Sequence, residues 1–96
     1  MSIHLTAKQN TSDIAETLEE MGFVLTSQDG LKARYVLVTC EAFNCRFGYT
    51  GLDKDTGPLF LVGGALELEN WDDINNTTFI SAITGKHATL HANIKF

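Results

Sequence analysis

The chain has 96 residues, 44% of them hydrophobic, and sets 12 acidic against seven basic side chains for a net charge of −5. A chain of this size makes one domain with a real core and little room for an internal ligand cavity, since it buries about 60–70% of its unfolded surface. The negative balance argues against a nucleic-acid binder, which would carry a basic stripe, and no apolar run approaches the roughly 20 residues of a membrane span.

Residues Met1 to Thr6 lack the charged start and apolar stretch of a secretory signal, so the expected place of synthesis is a cytoplasm. Ile3, Leu5 and Ala7 alternate with His4 and Thr6 and mark a short first strand. Ile14, Leu18 and Met21 then follow i, i+4, i+7 spacing, the one helical signal in the chain. Ser12 or Asp13 is placed to cap that helix, Asp13 and Glu16 have the capping-box offset, and Gly22 sits where a left-handed C-terminal residue belongs. An irregular strand is the rival reading, because the β-favouring Phe23-Val24-Leu25 follows Gly22 directly. Residues 1–30 are thus read as an N-terminal arm, reaching towards a neighbour, plus this short helix.

Gln28-Asp29-Gly30 is a turn. Tyr35-Val36-Leu37-Val38 is apolar on both faces, as in a central strand. Glu41 and Ala42 reverse the chain into Phe43, Cys45, Phe47 and Tyr49, which alternate with Asn44, Arg46 and Gly48. Thr50 to Pro58 is the longest loop, and Leu59 to Val62 a short apolar strand that ends at Gly63-Gly64, a bulge or tight bend. Leu66 and Leu68 face inward and Glu67 and Glu69 outward on the next strand. Asn70 to Asn76, polar apart from Trp71 and Ile74, reads as a loop with a helical turn. Phe79–Thr84 and His87–Phe96 are expected to form a hairpin across Gly85-Lys86.

The end of the chain is its clearest feature. Ala88, Leu90, Ala92, Ile94 and Phe96 alternate with His87, Thr89, His91, Asn93 and Lys95, the period of a strand with one wet face. Seven or eight short strands, with turn signals roughly every 8–12 residues, suggest an antiparallel sandwich or barrel. The fold class expected is all-β: a single small antiparallel β-sandwich or barrel-like (jelly-roll-like) domain over residues 1–96 with one short N-terminal helix.

Candidate chemistry is sparse. Cys40 and Cys45 have neither the spacing of a zinc knuckle nor that of a thioredoxin site, and read first as small buried hydrophobes, with a disulfide or a metal role as alternatives. The acceptor patterns at Asn10, Asn75 and Asn76 carry no meaning without a secretory signal. His87 and His91 would share a face on a helix, but on a strand four residues span about 13 Å, too far for one zinc. Asp53 and Asp55 alternate as in a calcium loop, yet two carboxylates around Lys54 fall short of about six oxygen ligands. Glu67, Glu69, Asp72 and Asp73 flank Trp71 in the manner of a sugar hydrolase's paired carboxylates, but an outward-facing pair lacks the burial that raises a carboxyl pKa. An acidic contact surface fits that cluster better, and Trp71 either plugs the end of the fold or anchors an interface. No G-x-S-x-G elbow is present, and Gly63-Gly64 carries no phosphate-loop lysine. Neither cofactor nor metal is expected.

Taken in order, Ala33-Arg34-Tyr35-Val36-Leu37-Val38-Thr39, Cys45-Arg46-Phe47-Gly48-Tyr49-Thr50-Gly51, Gly57-Pro58-Leu59, Gly63-Gly64-Ala65-Leu66-Glu67-Leu68, Phe79-Ile80 and Ala88-Thr89-Leu90-His91 form a pattern. It resembles a group of small all-β tailed-phage proteins, in which a "RYVLV" strand precedes a "VRFRYDG" strand, a "GHLLxAGxSLxL" hairpin, a "FRAI" strand and a terminal "ATLHV" strand. The likeness runs from Leu31 to Phe96. Cys45 stands where an aliphatic residue is usual, in keeping with a buried hydrophobe, and Thr50 to Asp55 replaces a shorter "DGT" turn.

The resemblance implies a non-enzymatic virion protein made in a host bacterial cytoplasm. Its most specific form is a capsid decoration or cement protein bridging major capsid subunits as a small homo-oligomer, a trimer being favoured. A head–tail connector, tail or fibre component is the alternative within that class. A host-directed acidic inhibitor and a carbohydrate-binding module are alternatives outside it. The residues expected to make contacts are Trp71, Asp72, Asp73, Asp53, Asp55, His91 and Lys95, with no nucleic acid or membrane among the partners.

Overall fold

The computed structural model describes residues 2–4, 8–10, 14–49, 52, 53 and 55–96, the first two stretches as backbone. Ser12 and Asp13, Leu5 to Ala7, Thr11, and Thr50, Gly51 and Lys54 lie outside the described residues, and so do the expectations placed on them.

The last strand organises the larger of two antiparallel sheets. Strand β9 (Ala88–Lys95) pairs on one side with β4 (Tyr35–Ala42) and on the other with β1 (Ser2–His4) and β2 (Lys8–Asn10). Strand β7 (Ala65–Leu68) completes that sheet on the far side of β4. Ala88, Leu90, Ala92 and Ile94 are fully buried, as the alternation requires. Removing Leu90 and Ile94 from water contributes roughly 1.5–3 kcal/mol each. The N-terminal segment expected as a reaching arm pairs, where described, with β9 of its own chain.

The smaller sheet has the order β3 (Glu16–Thr17), β8 (Thr78–Ser81), β5 (Cys45–Gly48), β6 (Leu59–Phe60). One buried cluster takes Val36, Val38, Cys40 and Leu90 from the larger sheet and Cys45, Phe60 and Phe79 from the smaller. Phe60 meets the rings of Phe47 and Phe79 at centroid separations of 6.2 and 6.3 Å. Beside the two sheets stand two short helices, α1 (Leu18–Met21) and α2 (Trp71–Asn76).

Five sequence expectations are corrected. The helix over Ile14 to Met21 shrinks to one turn, and Ile14 is 68% exposed. Glu16 and Thr17 pair with Phe79 and Thr78, so the sheet claims their backbone. The cap is Thr17, whose hydroxyl accepts from Glu20 N while Glu20 Oε1 accepts from Thr17 N. Gly22 does end the helix in the left-handed region, with φ of 110°. The polar stretch around Trp71 and Ile74 is a second helix, begun by Asn70, whose side chain accepts from Asp73 N.

The hairpin across Gly85-Lys86 does not form: β8 and β9 lie in different sheets. Phe79, Ile80 and Ser81 are all buried, so β8 has cover on both faces and needs β3 and β5 beside it. The residues from Ala82 to His87 carry the chain from one sheet to the other.

Leu59 to Val62 is strand only over Leu59–Phe60. Gly63 N donates to Cys40 O and Cys40 N to Gly64 O, so the chain leaves the smaller sheet and reaches β4 of the larger one within four residues. That crossing requires glycine: Gly63 has φ of 86°, and a Cβ on Gly64 would stand 2.9 Å from the carbonyl oxygen of Leu61. Gly64→Ala is expected to destabilise by about 1–3 kcal/mol, the range for forcing a methyl into a filled site. At about 4–8 °C per kcal/mol for a domain this small, the thermal midpoint should fall visibly, and an unchanged midpoint would refute the tight crossing.

Phe43 is a turn residue with φ of 61°, not an inward strand residue. The strand before it runs on to Ala42, and its register slips at a bulge between Cys40 and Ala42, so the reversal falls at Phe43 and Asn44.

Candidate interaction surfaces

The expected contact residues fall in three separate places. Trp71, Asp72 and Asp73 sit on α2, at the end of the fold where β4 begins. Asp53 and Asp55 belong to the loop between β5 and β6. His91 and Lys95 lie on the outer face of the larger sheet.

At α2 the acidic cluster is partly absorbed by structure. Asp73 Oδ1 accepts the hydroxyl of Tyr49, and Asp73 Oδ2 accepts from Asn70 Nδ2 at 3.0 Å. Donating to a carboxylate holds the Tyr49 hydroxyl protonated and raises its pKa. One carboxylate thereby ties the end of β5 to the start of α2, while Asp72 stays exposed. Trp71 is half-buried against the core, with Lys32 Nζ 5.2 Å above its ring, so plug and surface are both true of it.

In the loop, several described residues bond to one another. Asp55 N donates to Asp53 Oδ1 at 2.8 Å and Thr56 N to Asp53 O at 3.3 Å, an Asx turn closed by an isolated bridge between Asp53 and Thr56. Arg46 reaches in from β5 and donates to Gly57 O. Among the described residues, no three His, Cys, Asp or Glu side chains are grouped to hold a metal ion.

On the outer face, His91 Nδ1 lies 3.6 Å from Glu41 Oε1, which also accepts from Thr39 at 3.3 Å. Lys95 Nζ stands 5.1 Å over the ring of Tyr35. Desolvation first, then Glu67 and Glu69, raise the Tyr35 pKa. His87 precedes β9 and is exposed, so of the two histidines His91 alone lies on the strand.

Cys40 and Cys45 are buried and unbridged. Cys40 Sγ donates to Phe43 O at 3.2 Å. Burial pushes both thiols above their ordinary range, so neither offers a thiolate nucleophile near neutral pH.

A fourth surface escaped the sequence reading. Phe43 (40% exposed), Leu61 (53%), Val62 (50%) and Ile83 (41%) gather at the opposite end from α2. Asn44 joins the three connections that carry them: its Oδ1 accepts from Val62 N at 2.9 Å and its backbone oxygen from Ala82 N at 3.0 Å. Lys86 Nζ completes the group, 5.6 Å over the Phe43 ring. Read along the chain, Leu61 and Val62 extend an apolar run and Phe43 and Ile83 fit alternating strands. The Gly63-Gly64 step directly after Val62 was the available sign that the run ends in a loop.

Comparison brings no kin. No family model matches the chain, and searches among curated proteins and among solved structures find no match. The reading of these surfaces therefore rests on their chemistry and on the sequence pattern.

Proposed function

We propose that this chain is a non-enzymatic structural protein of a tailed-phage particle. In its most specific form it is a capsid decoration or cement protein that bridges neighbouring major capsid subunits and associates with copies of itself, its two sheets forming a jelly-roll-like sandwich. The observation that carries the proposal is a division of labour among the described side chains. Groups capable of chemistry are tied into the fold, Asp73 by Tyr49 and Asn70 and the two thiols by burial. Large apolar side chains stand outside it, and four of them, Phe43, Leu61, Val62 and Ile83, are grouped at one end. Monomeric proteins rarely keep such a group unless something covers it. The tailed-phage pattern between Leu31 and Phe96 supplies the kind of assembly in which it would be covered.

Of the readings from another class, the carbohydrate-binding module loses ground at Trp71, because Lys32 stands over the ring where a sugar would stack. The position within the particle is decided by counting. Quantitative mass spectrometry of purified particles should find this chain in hundreds of copies. A count of six or twelve would move it to a connector, tail or fibre position. Complete absence from particles would overturn the virion reading and favour the host-directed inhibitor.

A further inference from the structure

The two ends of the domain differ in charge, and both present apolar surface. The end bearing Phe43, Leu61, Val62 and Ile83 is built from stretches without a single acidic residue, namely 42–48, 58–66 and 77–90, and carries Lys86 and His87. Glu41, the carboxylate next to it in sequence, is turned towards His91 and Thr39 on the outer face of the larger sheet.

The opposite end is mixed in charge: Lys32, bridged to Thr26 and set over Trp71, stands there beside exposed carboxylates. Glu19 and Glu20 on α1 and Asp72 on α2 are exposed there, in a molecule whose net charge is already −5. Between α1 and the segment that follows it lies an open cleft of about 260 Å³, lined by Glu19, Phe23, Val24, Leu25 and Thr26. Val24, at 64% exposure, is among the most exposed large apolar side chains described.

We propose that copies of this chain associate head to tail: the Phe43, Leu61, Val62 and Ile83 end of one seats over the Phe23–Thr26 cleft of the next, with Lys86 facing Glu19. Charge complementarity selects this arrangement. A two-fold contact of the apolar ends would bring Lys86 of one copy close to Lys86 of the other, and like charges opposed across an interface cost several kcal/mol. A head-to-tail contact is heterologous, so it closes into a ring where the rotation between copies divides a full turn and otherwise extends as a filament. The inference rests on reading the chain as a contact protein, and it concerns the purified protein alone, so it can fail while the particle count stands.

The test is the mass of the purified full chain in sedimentation experiments over a wide range of concentration. The parent is expected to rise above monomer mass, less so at high salt. Lys86→Glu sets two acidic side chains across the junction, and Glu19→Lys sets two basic ones. Each is expected to weaken association by at least about tenfold, the lower end of what opposed like charges do. Mixing the two variants in equal amounts should restore it, because every junction between unlike variants sets opposite charges at positions 86 and 19. Both positions are exposed, and an unchanged circular-dichroism spectrum and thermal midpoint check that each variant folds. A parent that stays monomeric throughout overturns the proposal. So does an oligomer insensitive to both reversals, or a mixture that fails to associate. Binding of Lys86-bearing protein to anionic lipid vesicles, lost in Lys86→Glu without any self-association, would assign the apolar end to a membrane surface instead.

Discussion

Phe79→Ala is expected to destabilise the folded chain by about 3–5 kcal/mol, the range for emptying a large aromatic site in a closed core. Phe79 is fully buried in the middle of β8, opposite Phe47 on β5 and Glu16 on β3, and its ring meets that of Phe60. It sits where side chains from both sheets converge, and the backbone around it is held by neighbours on both sides, so the cavity has little means of collapsing. A domain of this size has about 5–15 kcal/mol in total, so the variant forfeits between a fifth and all of it. Urea titration should show the midpoint falling with the slope unchanged. Phe43→Ala is the control: the same deletion at a half-exposed turn should change stability by no more than about 0.5 kcal/mol. Equal effects at the two positions would refute the partition of phenylalanines between core and surface.

That partition shows what the sequence could and could not disclose. The final strand was legible because a period of two fixes which side chains go inward whatever the partners are, and Ala88, Leu90, Ala92 and Ile94 are fully buried. Its partners were not legible. Two apolar strands joined through a glycine read alike whether they pair or cross between sheets. What decides here is that Ile80 is buried on the face opposite Phe79, which commits β8 to the centre of the smaller sheet. The helix was half legible: Gly22 marked its end, but the pairing of Glu16 and Thr17 with β8 is non-local and moved its start to Thr17.

The candidate surfaces were less legible than the fold, because residue type reports what a side chain can do and position decides whether it does so. Asp73 looks like a surface charge in sequence and proves to be a brace held by Tyr49 and Asn70. Phe43, Leu61, Val62 and Ile83 look like core and prove to be surface. Charge segregation was the one global clue within reach: the stretches that build the apolar end carry none of the 12 acidic side chains. Only the topology, which brings those stretches to one end, turns that gap into a surface.

Alkaline pH should unfold this protein, and the two buried thiols set the direction. Burial raises both Cys40 and Cys45 above the ordinary thiol range, and the neighbouring Cys40 raises Cys45 further. In the unfolded chain a thiol loses its proton near pH 8.5. Below that value both states hold the same protons, and the stability associated with the neutral thiols is fully present. Above it the unfolded state sheds protons that the folded state keeps, so stability falls by about 1.4 kcal/mol per pH unit for each thiol still protonated in the fold. The loss continues as the pH rises through the folded-state values. Tyr35 and Tyr49 are also raised and add to the loss where phenols titrate, so the thiols are best read between about pH 8.5 and 9.5. Urea unfolding across that window should show stability falling with pH in the parent, and falling less steeply in Cys45→Ala, whatever the variant's stability at neutral pH. Iodoacetamide should label neither cysteine in the folded protein at pH 8 and both in urea. A slope unaltered by Cys45→Ala, or rapid labelling of the folded protein, would show that the thiols are not held neutral in a closed interior.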